Sequence, residues 1–157
     1  MAREDAFNGA KSACAMLGGF LKDVEQEIGM EKALLLYGRQ GEPLGSMLAG
    51  ITKQQLGDKE FDFKTFAAVL SGAYQMFGLT YEIEENATST KVRVFQCPIY
   101  EGFKEAGLDH QTTEALCNRM AAVEYAELKK VIPQLCGSLK FRSAPDQPCV
   151  EEFVLEK

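Results

Sequence analysis

Leu79-Thr80-Tyr81-Glu82-Ile83-Glu84-Glu85-Asn86-Ala87-Thr88-Ser89-Thr90-Lys91-Val92-Arg93-Val94-Phe95-Gln96 is the stretch that decides the fold. Leu79, Tyr81 and Ile83 alternate with Thr80, Glu82 and Glu84, the period of two that sends successive side chains to opposite faces of a strand. Glu85-Asn86-Ala87-Thr88-Ser89 has the composition of a turn, and Val92 and Val94 then alternate with Arg93 and Phe95. Two such runs joined by a short polar segment predict a β-hairpin.

Upstream the period is helical. Ala6, Ala10, Ala13, Cys14, Leu17, Leu21, Val24 and Ile28 predict one long helix with a single buried stripe, stopped at Gly29. A second helix is expected over Glu31–Tyr37, interrupted by Gly38, Gly41 and Pro43 and resumed over Leu44–Gln55. Asp62 is a candidate N-cap for a further helix, Phe63–Phe77, with Gly78 as its stop.

Downstream, Pro98 ends the second strand and a short helix, Ile99–Ala106, closes at Gly107. Thr112 or Thr113 is expected to cap a helix running to Val131, ahead of Pro133. Leu135–Arg142 and Val150–Leu155 read as a second strand pair. The sequence thus predicts one α+β domain over residues 1–157. Its helical part, 1–78, packs on an antiparallel sheet built from two strand pairs with intervening helices, within 79–157.

Composition narrows the function. The chain of 157 residues is 46% hydrophobic and carries a net charge of −6, with no basic run beyond Lys129-Lys130, which argues against nucleic acid as a partner. No apolar run approaches a membrane span, and the acidic start Glu4-Asp5 leads into no signal-peptide core, so the chain reads as cytoplasmic. The five cysteines are then thiols or metal ligands.

Cys97, Cys117 and Cys149 are the candidate site. Cys97 and Cys149 mark strand margins and Cys117 lies on the helix between them, an arrangement that can gather thiols from distant parts of the chain. As metal ligands, with Cys136 or Glu114 completing the set, they would suit zinc or iron. As ordinary thiols they would be small buried hydrophobes. Cys97 also precedes a helix start, a position that activates a nucleophilic thiol. His110, the sole histidine, is a candidate base or else a solvated loop residue. Tyr74, Phe77 and Tyr100 are candidate walls of an apolar ligand pocket. Arg39 and Arg93 are candidate carboxylate binders, whereas Glu124 and Glu127 read as a solvated helix face.

The series Val94-Phe95-Gln96-Cys97-Pro98, Phe103-Lys104-Glu105-Ala106-Gly107, Leu116-Cys117 and Asp146-Gln147-Pro148-Cys149-Val150-Glu151-Glu152-Phe153 resembles the L-2-amino-thiazoline-4-carboxylic acid hydrolase-like family. More distantly it resembles the small-molecule-binding domain named after bacteriochlorophyll 4-vinyl reductase. Glu25-Gln26-Glu27-Ile28-Gly29-Met30-Glu31-Lys32-Ala33 is similar to the first family's helical lead-in. The resemblance implies helices against an antiparallel sheet, a small-molecule cavity, and hydrolysis of a cyclic thiazoline amino acid in the eponymous enzyme. Two functions stay open: a small-molecule-binding protein, or a hydrolase of a small cyclic C–N substrate using Cys97 and a metal. A cavity is expected between the Phe63–Phe77 helix, the first hairpin and the Gln111–Val131 helix. The small residues of the first helix, and pairing among the related domains, predict a homodimer.

Overall fold

The computed structural model describes residues 2–156, the side chain of Ala2 excepted; Met1 and Lys157 lie outside them. The chain runs α1 (Ala2–Ile28), α2 (Met30–Gly38), α3 (Gly41–Leu56), α4 (Phe63–Met76), β1 (Thr80–Glu85), β2 (Ser89–Gln96), α5 (Pro98–Glu105), α6 (His110–Val131), β3 (Leu135–Lys140) and β4 (Cys149–Leu155). The four strands form one antiparallel sheet in the order β1-β2-β4-β3. This is the expected α+β architecture, with the second strand pair joined to the first through β4.

Local chemistry explains most boundaries. Gly29 and Gly78 take φ of +85° and +71°, so each ends a helix where an L side chain would be strained. Asp62 caps α4 by accepting from the Thr65 N–H at 2.7 Å. The cap of α6 is Asp109, which accepts from the Thr112 N–H at 2.7 Å, and not Thr112 or Thr113. A carboxylate one turn earlier satisfies the same free N–H groups and suits the helix dipole. Gly41 and Pro43 do not interrupt α3 but occupy its first turn, where proline's missing N–H is unneeded.

The helices cover one side of the sheet. Val92, Val94, Cys149 and Phe153 face them and pack against Phe66, Leu70, Tyr100, Cys117 and Leu128. The far side carries ion pairs, Lys91 to Glu152 at 3.3 Å and Arg93 to Glu84. Two close helix crossings depend on glycine: a Cβ on Gly45 would strike the Glu124 carbonyl, and one on Gly102 would strike Cys14 and the α1 backbone. Along α1 the buried stripe is narrower than expected, since Ala13 is exposed and Ile28 is 41% exposed.

No helix among the described residues is long and apolar enough to cross a membrane.

Candidate functional site

The helix-facing side of β4 places two polar residues, Cys149 and Glu151, between apolar neighbours. Cys149 pairs with Val94 of β2, and Glu151 lies between Val92 of β2 and Leu139 of β3. Each is the centre of a cluster.

Around Glu151 the groups are acidic and phenolic. The Tyr125 hydroxyl donates to Glu151 Oε2 at 3.1 Å. Tyr74 reaches the same carboxyl from α4, yet its buried hydroxyl closes no hydrogen bond. Glu124, 8% exposed, sits beside Glu151 on α6. Burial, followed by the charge of Glu151, pushes the Glu124 carboxyl up to about 8. Burial also raises Glu151, against the lowering pull of the Tyr125 and Tyr74 hydroxyls. Two carboxyls in one desolvated space cannot both ionise cheaply, so the pair retains a proton at neutral pH. Among the described residues no lysine, arginine or histidine pairs with either acid.

A cleft of about 450 Å³ opens beside this cluster, between α6 and the edge strand β3. It is open to solvent and of mixed polarity, with Asn118, Ala121, Ala122 and Tyr125 on one side and Gly137, Ser138 and Leu139 on the other. Gly137 makes the seat: any Cβ there would collide with the Tyr125 ring. The ring also stands edge-on to Phe153, with centroids 5.3 Å apart. Tyr125 is therefore shared by the cleft wall and the acid pair.

The expected cavity between α4, the first hairpin and α6 is different. That space is occupied by Phe66, Val69, Leu70, Val92, Val94 and Leu128, each 5% exposed or less.

Around Cys149 the groups are thiols and a cation. Cys97, Cys117, Cys149 and Tyr100 belong to one apolar cluster, with Tyr74 packed against it. Arg142, 2% exposed, threads the cluster. Its Nε donates to Cys149 Sγ at 3.5 Å, Nη1 to the Pro145 carbonyl at 3.1 Å, and Nη2 to the Val94 and Phe95 carbonyls, both at 3.3 Å. Its Cζ lies 4.3 Å from the Tyr100 ring centroid, a cation–π contact. Arg142 thus ties β2 and the loop after β3 together through carbonyl groups and reaches β4 through the Cys149 sulfur, with no acid among its partners.

Cys97 is the N-cap residue of α5. Burial drives its thiol up to about 11, against the lowering pull of the Tyr100 and Ile99 N–H groups. Burial raises the Cys117 thiol as well. Neither is an activated nucleophile in this state. Among the described residues no three His, Cys, Asp or Glu side chains are grouped so as to hold a metal ion. Cys97, Cys117 and Cys149 share a cluster but make no zinc or iron ligand set, because Arg142 and apolar side chains share the space.

Other candidates lie elsewhere. Phe77 ends α4 at 40% exposure, away from the buried wall predicted for it. His110 and Glu114 are exposed on the first turns of α6. Arg39 is exposed, and Arg93 is bound to Glu84 on the outer face of the sheet. Glu124, read as solvated, is buried.

The sequence held signals for the residues overlooked. Cys149, Glu151 and Phe153 keep a period of two, so a buried Phe153 carries Glu151 inward. Leu116, Cys117, Ala121, Glu124 and Leu128 keep helical spacing, which places Glu124 on the buried face of α6. Arg142 gave no such signal, since its burial depends on a loop closing over it. No protein-family profile matches the chain, and no curated protein matches it at a significant level.

Proposed function

We propose that the protein binds a small molecule in the cleft between α6 and β3. The observation that carries this reading is Tyr125, which walls the cleft and donates to the half-buried Glu151. A groove beside polar groups of displaced pKa is a common mark of a ligand site. The test is an NMR titration with a library of small amphiphiles. Shifts clustered on Ala121, Ala122, Gly137 and Ser138 are expected, and a library that shifts none of them refutes the reading.

A second reading is a hydrolase of a small cyclic C–N substrate using Cys97, as the resemblance implies. The N–H groups of Ile99 and Tyr100 directed at the Cys97 thiol favour it. Substrate would have to open the cluster, with Cys97, Tyr100 and the nearby Tyr74 as contacts. Cys97→Ser would then abolish turnover of a thiazoline carboxylate while the fold persists, and unchanged turnover removes Cys97 from the chemistry.

Five free thiols suit a reducing, cytoplasmic setting. The homodimer would use α1, whose exposed Met16 and Phe20 lie one turn apart, at 80% and 62% exposure. Sedimentation of Phe20→Glu checks it: a shift from dimer to monomer is expected, and a monomeric parent refutes it.

A further inference from the structure

We propose that Glu124 and Glu151 form the subsite for a protonated primary amine on a ligand whose apolar body fills the α6–β3 cleft. The proposal rests on the cleft being the ligand site.

The pair is incomplete as it stands. Two carboxyls face each other from α6 and β4 with no cation among the described residues to balance them. Tyr125 supplies one donor, to Glu151. Tyr74 presents a second buried hydroxyl to the same place and leaves it unbonded. A buried phenol without a partner is costly, so this hydroxyl marks an unmet position beside the acids.

An alkylammonium fits that vacancy in the hydrogen-bond pattern. It carries three N–H donors, which match a Glu124 oxygen, a Glu151 oxygen and the lone pair of the Tyr74 hydroxyl. A divalent metal fits poorly, because such ions take six or so oxygen ligands and no group of three or more metal-binding side chains occurs among the described residues. A neutral amide would leave the acids uncompensated.

The route is given by the strands. Leu139 lines the cleft and is the direct β3 neighbour of Glu151. Tyr125 both walls the cleft and bonds Glu151, so the acid pair lies directly behind that wall.

Proton and amine compete for the pair. Glu124 is faced by Glu151; Glu151 by Tyr125 of α6 and Tyr74 of α4; and Tyr74 also by Cys97. The helix α3 meets this part of α6 through Gly41 and Gly45, and its charged residues Glu42 and Lys53 are exposed. Raising the pH empties the pair of its proton while an alkylamine, with a pKa of about 10, stays charged.

The experiment titrates 2-phenylethylamine and its neutral analogue 2-phenylethanol into the full chain, followed by NMR at pH 6 and pH 9. The amine is expected to shift Ala121, Ala122, Gly137 and Ser138 and to bind about 10-fold more tightly at pH 9. Glu124→Gln and Glu151→Gln should each weaken it about 10-fold, and the alcohol should bind weakly and without pH dependence. If amine and alcohol shift the cleft equally at both pH values, the amine subsite is overturned and the cleft reading stands. If neither shifts the cleft, both fall. Should either variant fail to fold, the pH comparison on the parent chain decides alone.

Discussion

The Tyr125 hydroxyl lies 3.1 Å from Glu151 Oε2, so a phenol on α6 holds a carboxyl on the inner face of the sheet. The bond couples the helix layer to β4 at the point where the cleft meets the core. Among the described residues it is the one side-chain hydrogen bond that either acid accepts from within the pair's surroundings.

Removing that hydroxyl tests its weight. Tyr125→Phe keeps the ring on Gly137 and against Phe153 but strips a donor from Glu151. A loss of about 1–2 kcal/mol is expected in urea unfolding at pH 7, with Glu151 raised further. An unchanged midpoint would mean that the bond contributes nothing.

The acid pair gives stability a definite pH slope. Glu124 rises in the folded state from 4.5 to about 8, so the native protein holds a proton that the unfolded chain has released between those values. Its contribution is complete below about pH 4.5 and is lost as the pH rises through 8. Asp62 and Asp109, lowered by their capping bonds, act oppositely and only at acid pH. Unfolding midpoints should therefore fall between pH 6 and 9 in the parent and stay nearly level in Glu124→Gln.

Arg142 should tolerate no substitution. Arg142→Met leaves the Val94, Phe95 and Pro145 carbonyls without this donor, at a cost of about 3 kcal/mol or more. Arg142→Lys retains charge but cannot span four acceptors with one ammonium. Thermal unfolding of both variants checks this, and a Lys variant as stable as the parent would show that charge alone suffices.

Cys97 should be chemically quiet. Its thiol stands at about 11 against an ordinary 9.0, so at pH 8 its thiolate is about 100-fold scarcer. Iodoacetamide labelling followed by mass spectrometry should modify Cys97 only after denaturation. Rapid modification of the native protein would revive the nucleophile.

Much of the fold was legible because its signals are local. The change of period at Leu79, the cap at Asp62 and the stops at Gly29 and Gly78 each act within a few residues. Cys97, Cys117 and Cys149 do fall within the same large core cluster, but among the described residues they make no metal-ligand group, because apolar packing decides what fills the space between them. The displaced parts are those set by packing. Whether Glu124 meets water depends on α3 lying across α6, and whether Arg142 is buried depends on the Ser143–Pro148 loop. Phe77, the C-cap of α4, falls outside the core together with Met76, because the last turn of the helix runs past the sheet side of the core.

The glycines of α3 have a consequence for the order of assembly. Gly41, Gly45 and Gly50 make this one of the poorest helix formers in the chain, each costing about 1 kcal/mol relative to alanine. Gly41 and Gly45 are nevertheless required, because α6 passes too close for any side chain. A segment that cannot hold a helix alone, yet fits one only against a neighbour, must acquire its shape late. The expectation is that α6 serves as the template and α3 coils on it afterwards, which low φ-values for α3 against high ones for α6 would check. On that expectation, the helix lying across Glu124 would be the last part of the acid pair's enclosure to form and the first to be lost.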